Sequence, residues 1–181
     1  MYSTKFQTQI ADILNNPSVQ RFQELADPVI RDSMRDLAKH LGANAAALWV
    51  RPPGEEKLTI AVNVGIRGTE VEGKISQDLS SGLVSKAFKE NVVICDEGPF
   101  RHSEQSMDVD MELGQMTQFQ IAGPIQMFGT TVGAVTDIQM TTADSPAPQE
   151  WGFQKGAEEI FRRWLPVAQR LFEWQHIQTT A

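Results

Sequence analysis

The sequence predicts an α+β domain in which a central antiparallel sheet of about five to six strands carries N- and C-terminal helices on one face and a loop and short-helix lid over the other. Three observations predict it. Two apolar extended runs, 43–50 and 57–64, flank the turn Arg51-Pro52-Pro53-Gly54. Two more, 120–127 and 131–140, flank Phe128-Gly129-Thr130. Helical periodicity is confined to the segments outside and between these pairs. With 181 residues the chain can bury one sizeable core, and little is left for a second.

Taken in order, Thr4 to Leu14 reads as a short amphipathic helix with Phe6, Ile10, Ile13 and Leu14 near one face, ended by Asn15-Asn16-Pro17. Ser18 can cap the next helix, whose apolar positions Val19, Phe22, Leu25, Ala26, Val29, Ile30, Leu37 and Leu41 recur every three or four residues. Pro28 interrupts that pattern, so the sequence predicts either a kink there or a restart capped by Asp27. Gly42 supplies the stop.

The run 43–50 is short and precedes a proline-rich turn, which favours a buried strand over a helix. In the next run Leu58, Ile60, Val62 and Val64 alternate with Thr59, Ala61 and Asn63, the period of a strand with one buried face. The two runs pair as a hairpin. Gly65-Ile66-Arg67-Gly68 leads on to the helical stretch Ser80 to Lys89, which has Gly82 near its start. The apolar strand Val92-Val93-Ile94-Cys95 then runs into Asp96-Glu97, and a loop of about twenty residues follows before the second hairpin, whose reversal needs the conformational freedom of Gly129. Past Met140, Thr141 to Pro148 is a linker that cannot be a central strand, and a long helix is expected from Glu150 to Gln178 with a kink or break before Pro166. The expected division is an N-terminal helical extension at 1–17, the sheet domain at 18–140, a linker at 141–149 and a C-terminal helix at 150–181.

The order of glycine-initiated helix, apolar strand running into acids, long loop and glycine-turned hairpin resembles a GAF domain, a family of small GAF/PAS-like sensor modules. The resemblance covers roughly Phe22 to Met140 and rests on apolar positions and glycines. It implies a pocket between the sheet and the segment 96–118, walled by Trp49, Val62, Ile94, Phe100, Phe119 and Ile121 and roofed by Met107, Met111 and Met116. Met107 and Met111 share a helix face, and a methionine roof adapts to an apolar ligand or plugs the lid onto the sheet. The acidic run Asp108, Asp110, Glu112 reads as a solvated face, since it lacks the ligand order and central glycine of a calcium loop.

Other chemistry leaves little trace. The net charge of −7, with no basic run, argues against a nucleic-acid surface. There is no apolar window of membrane-spanning or signal-peptide length, and a cytoplasmic protein is the expectation. No phosphate-cradling loop, His-Glu-x-x-His, Gly-x-Ser-x-Gly or paired-cysteine spacing occurs, so no enzyme is expected and no metal site is indicated. Cys95, the single cysteine, sits among apolar residues and reads as a small core hydrophobe. Bilin-carrying relatives place their cysteine in the lid, which has none here. The relatives that reduce free methionine sulfoxide use several thiols, and the Asn-Lys-Phe-Asp-Glu motif of cyclic-nucleotide binders is missing. His102 is the lid's only histidine and the one candidate for a haem or iron sensor. His40 and His176 read as helix-end cations. No residue pattern names a cofactor or a ligand.

The last helix carries two overlapping apolar stripes, one through Ala157, Phe161, Trp164, Ala168 and Leu171, the other through Ile160, Trp164, Val167, Leu171 and Trp174. One stripe can pack on the domain. The other is available in part to a second copy or a partner signalling protein, or is consumed by the chain's own core; the candidate contacts, drawn from both stripes, are Phe161, Trp164, Leu171 and Trp174. The resemblance implies a ligand-binding regulatory domain that signals through its terminal helices. It stands alone or belongs to a longer sensor, and the alternative is a dimerisation or docking module with no ligand.

Overall fold

Pro28 starts a helix instead of kinking one. In the computed structural model of the protein, which describes residues 4–97, 107–144, 148 and 150–180, α1 spans Thr4–Asn15, α2 Val19–Leu25 and α3 Pro28–Leu41. The Asp27 carboxylate accepts from Ile30 N at 2.9 Å, and Ser18 Oγ accepts from Arg21 N at 3.2 Å. Each satisfies a backbone donor that the first helical turn leaves open. Gly42 ends α3 at φ 81°, a left-handed value that suits glycine.

Among the described residues six strands form one sheet in the order β3-β2-β1-β6-β5-β4, every neighbouring pair antiparallel. They are β1 Ala45–Val50, β2 Lys57–Gly65, β3 Ser76–Asp78, β4 Ile94–Glu97, β5 Gln115–Met127 and β6 Thr130–Thr142. The β5–β6 hairpin reverses through Phe128 and Gly129 at φ 49° and 81°, so both turn residues are left-handed, as a two-residue hairpin favours. β4 begins at Ile94, later than the apolar run suggests. β6 continues through Thr142, into the stretch expected to be linker, because Thr141 and Thr142 pair with Met116 and Gln115.

A bulge decides which way β2 faces. Its ladder with β1 passes from Leu48↔Val62 to Trp49↔Ile60, leaving Ala61 as an extra residue. One inserted residue exchanges the two faces of the strand from that point on. Leu58 and Ile60 therefore pack with Ala47 and Trp49 on one side, and Val62 and Val64 pack with Ala46 and Leu48 on the other. The four apolar residues expected on one buried face divide between two.

The larger core lies between the sheet and α1, α2, α3 and α6 (Ala157–Thr180). It is built from Phe22, Leu25, Met34, Leu41, Phe161 and Phe172 against Leu48, Val62, Ile121 and Ile125. α6 approaches β5 at Gly123, where a Cβ would sit 2.7 Å from both Leu165 Cδ1 and Phe161 Cε1. A smaller core occupies the opposite face under α4 (Leu83–Glu90), α5 (Asp108–Leu113) and the 3-10 turn Gly68–Val71.

α6 differs from expectation at its start and its middle. It begins at Ala157, not Glu150, because Gly152 and Gly156 take φ of 102° and 84°, outside any right-handed helix. Trp151 and Phe153 in this entry segment meet Phe119 at ring-centroid distances of 6.1 and 6.3 Å, and the Gln139 amide both donates to Gly152 O and accepts from Gly152 N. The helix runs through Pro166 without a break. Its buried stripe of Ala157, Phe161, Leu165, Ala168 and Phe172 offsets the single rung that proline removes. No helix among the described residues is long and apolar enough to cross a membrane.

Candidate functional site

The face of the sheet away from α6 carries polar residues inside apolar strands: Asn63 on β2, Thr117 and Gln120 on β5, Thr136 on β6. With Trp49 and Ile60 they floor a cavity of about 60 Å³, roofed by Val109, Asp110 and Leu113 of α5. At roughly 15 Å³ per water position this is room for about four waters, well below the volume that holds a drug-sized ligand.

The lid is tied down by charge-assisted hydrogen bonds. Asp110 Oδ2 accepts from Thr117 N at 2.9 Å, and Oδ1 accepts from Thr117 Oγ1 at 2.8 Å and from Gln115 Nε2 at 3.0 Å. Asp108 and Glu112 stay exposed while Asp110 is buried, so the acidic run is not one solvated face. Residues two apart lie on opposite sides of a helix, and that spacing already separates Asp110 from its neighbours.

A second tether comes from Arg67, a non-glycine residue at φ 73°. Its Nη2 donates to Leu113 O at the end of α5, and its Nη1 reaches Glu70 Oε1 at 3.3 Å. The left-handed backbone costs energy that the surrounding contacts hold in place. Its Nε is buried with no hydrogen-bond partner among the described residues, and so is Gln115 Oε1; both residues line the cavity. On the floor, Trp49 Nε1 donates to Thr136 Oγ1 at 3.1 Å, and Asn63 Nδ2 donates to Ile66 O and Gly68 O at 3.2 and 2.7 Å. At the α4 end the Gln77 amide crosses over Gly82, where a Cβ would lie 1.8 Å from Nε2.

Of the wall residues expected from sequence, Trp49 lines the cavity. Val62 and Ile121 do not; they belong to the larger core on the opposite face. The bulge at Ala61 turns Val62 away. A second register shift, between Thr117 and Phe119, makes Gln118 the extra residue of β5 and sends Phe119 and Ile121 to the helix side. Phe119 packs against Trp151 and Phe153 instead. Ile94 is half-buried on β4 and is not part of the lining. The methionine roof is corrected: Met107, Met111 and Met116 face solvent, Met111 being 70 % exposed, and Val109 and Leu113 take the inner face of α5. Phe100 and His102 lie outside the described residues. Arg67, Gln115, Gln120, Asn63 and Gln77 were missed, although polar residues within apolar strands are a readable sign for Asn63 and Gln120.

Cys95 is exposed, because β4 is an edge strand flanked on one side only by β5. His176 is buried inside α6, not a helix-end cation. Its Nδ1 lies 3.1 Å from Arg21 Nη2 and must accept, since guanidinium only donates, and its ring meets Phe128 at 6.2 Å. Of the candidate interface residues, Phe161 is fully buried in the larger core. Trp164 is half-buried with Nε1 donating to Ser33 Oγ at 2.8 Å, Leu171 is half-buried, and Trp174 is 58 % exposed. Among the described residues no group of His, Cys, Asp and Glu is placed to hold a metal ion.

One further polar group is buried on the other side of the sheet. Asp137, on β6 between Ala46 and Ile121, is 0 % exposed, and neither carboxyl oxygen has a hydrogen-bond partner among the described residues. Burial alone pushes its carboxyl well above the ordinary range.

No protein-family model and no curated protein matches the sequence. Solved structures do resemble it. The GAF domain of a phosphoenolpyruvate-protein phosphotransferase from Coxiella burnetii superposes with a TM-score of 0.64 at 18 % identity over 98 % of both chains. The GAF domain of the Acinetobacter phosphoenolpyruvate-protein phosphotransferase gives 0.63 at 13 % identity over 100 % of each. Free methionine-R-sulfoxide reductase from Neisseria meningitidis, in complex with its substrate, gives 0.62 at 11 % identity over 99 % of this chain and 96 % of that one. At such identities the likeness is one of fold, and the same architecture serves a reductase as well as domains of other proteins.

Proposed function

From the premise that this chain has the GAF fold, we propose that it is a non-catalytic regulatory domain that binds a small molecule between the sheet and the lid and passes the change to its terminal helices. The observation that carries this reading is the roofed cavity lined by Arg67 and Gln115, whose Nε and Oε1 are buried without a hydrogen-bond partner among the described residues. Buried polar atoms without partners are costly, and a ligand that pairs them recovers that cost. In this proposal residues 18–140 form the sensing unit, 1–17 its helical extension and 150–181 the output.

A route to the helices supports the reading. Arg67 holds the lid, and a few residues on Glu72 accepts from Asn63 N at 2.8 Å and from both Arg31 Nη atoms, at 2.6 and 3.1 Å. Arg31 belongs to α3, which packs on α6, so the loop that touches the lid also grips the helical layer. A ligand acts through this route only by favouring one arrangement of the loop over another. Native mass spectrometry of the purified protein tests the proposal: a retained small molecule, or a mass increment from a metabolite panel accompanied by slowed amide exchange at 108–117, is expected. A bare mass with exchange at 108–117 unchanged by every addition overturns it.

A second reading, contact with another protein, is favoured by a separate observation. Ile160, Val167 and Trp174 recur every seven residues along α6, and all three are exposed. Exposed aromatic and aliphatic residues in one stripe suit a homodimer or a helical partner. The two readings combine if binding in the cavity changes how this stripe is presented.

A further inference from the structure

The chemistry of the cavity lining constrains the molecule that fits it. Arg67 Nε–H is a buried donor and Gln115 Oε1 a buried acceptor, and neither is paired among the described residues. Gln120 adds a complete carboxamide that is 7 % exposed, lines the same cavity and makes no hydrogen bond among the described residues. Among the described residues the lining has two charged groups, and both are already engaged. Asp110 accepts three hydrogen bonds, and Arg67 faces Glu70 and Leu113 O. An anion would meet Arg67 but also the oxygens of Asp110 and Gln115, and a cation would meet Gln115 Oε1 beside the guanidinium. Both are disfavoured where desolvation makes a net charge expensive.

We propose that the cavity takes a small molecule of no net charge that presents an acceptor oxygen to Arg67 and an N–H donor to Gln115, with Gln120 satisfying what remains: the pairing found in a primary amide or urea and, as a zwitterion, in a small amino acid. At about 10–15 Å³ for each position, the space limits the ligand to about four to six non-hydrogen atoms while the lid is closed. This inference rests on the proposed function of the cavity and specifies its ligand class. The left-handed backbone of Arg67, a residue of the lining, is part of the arrangement, because it brings the guanidinium to Leu113 O.

Two-dimensional amide NMR of the whole chain tests it with four probes: acetamide, glycine, acetate and methylammonium. Acetamide, glycine or both are expected to shift amides within 66–72 and 108–120, saturably and at least tenfold more tightly than acetate or methylammonium. The member of the neutral pair that binds identifies amide or zwitterion as the source. Gln120→Leu breaks no side-chain hydrogen bond among the described residues and is expected to fold normally and to weaken the bound probe about tenfold. Arg67→Lys keeps the charge but removes Nε–H, with the same expected loss. Tighter binding of acetate or methylammonium, or undiminished binding in both variants, overturns the ligand class while leaving the cavity as a binding site. Absence of saturable shifts from all four, together with no retained molecule in the native mass spectrum, removes both readings.

Discussion

Asp137 is the residue whose cost is easiest to measure. An ionised carboxylate without partners in an apolar layer is expensive, so the native state keeps this group protonated above the range where an unfolded chain releases its proton, near pH 4. Between the unfolded value and the raised folded value, the native state binds the extra proton. Stability contributed by this group therefore falls as pH rises, by about 1.4 kcal/mol for each pH unit in that window. Asp137→Asn cannot ionise and should lose that slope. Urea midpoints of the two proteins compared at about pH 5 and about pH 7 should show the variant gaining on the parent as pH rises. Equal slopes would mean that the carboxyl titrates normally. Asp110 is the contrast, a buried carboxylate with its oxygens satisfied. Asp110→Ala removes three hydrogen bonds from the lid anchor, and amide exchange across 109–114 should quicken by at least about tenfold while the sheet keeps its protection.

At the scale of elements, close approach of α6 to β5 depends on Gly123. Gly123→Val places methyl groups against Leu165 and Phe161, which have no solvent to move into, and should cost about 1–3 kcal/mol, read as a lower denaturant midpoint at unchanged slope. The elements themselves were legible from local chemistry. Ser18, Asp27 and Gly42 mark helix ends by capping rules that need no tertiary information, and Phe128-Gly129 marks the hairpin. The faces of β2 and β5 were not. A bulge is a property of a pair of strands, and nothing local to Ala61 or Gln118 reveals that its partner skips a residue there. That is why strict alternation puts Val62, Phe119 and Ile121 at the cavity although they lie behind the sheet, and passes over Gln120. The lid failed for another reason. Met107 and Met111 do share a helix face, but amphipathic spacing does not say which face turns inward, and the Asp110 bonds to Thr117 decide it.

For the whole molecule, α6 divides its apolar residues between two surfaces. Phe161, Ala168 and Phe172 are spent on the larger core, whereas Ile160, Val167 and Trp174 remain at the surface. If the exposed stripe joins two copies, sedimentation equilibrium should report a dimer that Val167→Glu and Trp174→Glu together convert to monomer without a change in the thermal midpoint of the monomer. A monomeric parent protein would leave that stripe to a different partner. The sheet is a party wall: one side serves a small polar-floored chamber and the other an oily one, and Ala61 is the joint at which the same strand changes tenants. Deleting that single alanine would slide Asn63 into grease or Ile60 out of the chamber. Length at this point is therefore as restricted as composition, and a scan of one-residue deletions along 57–65 should find its sharpest loss of folded protein where the joint disappears.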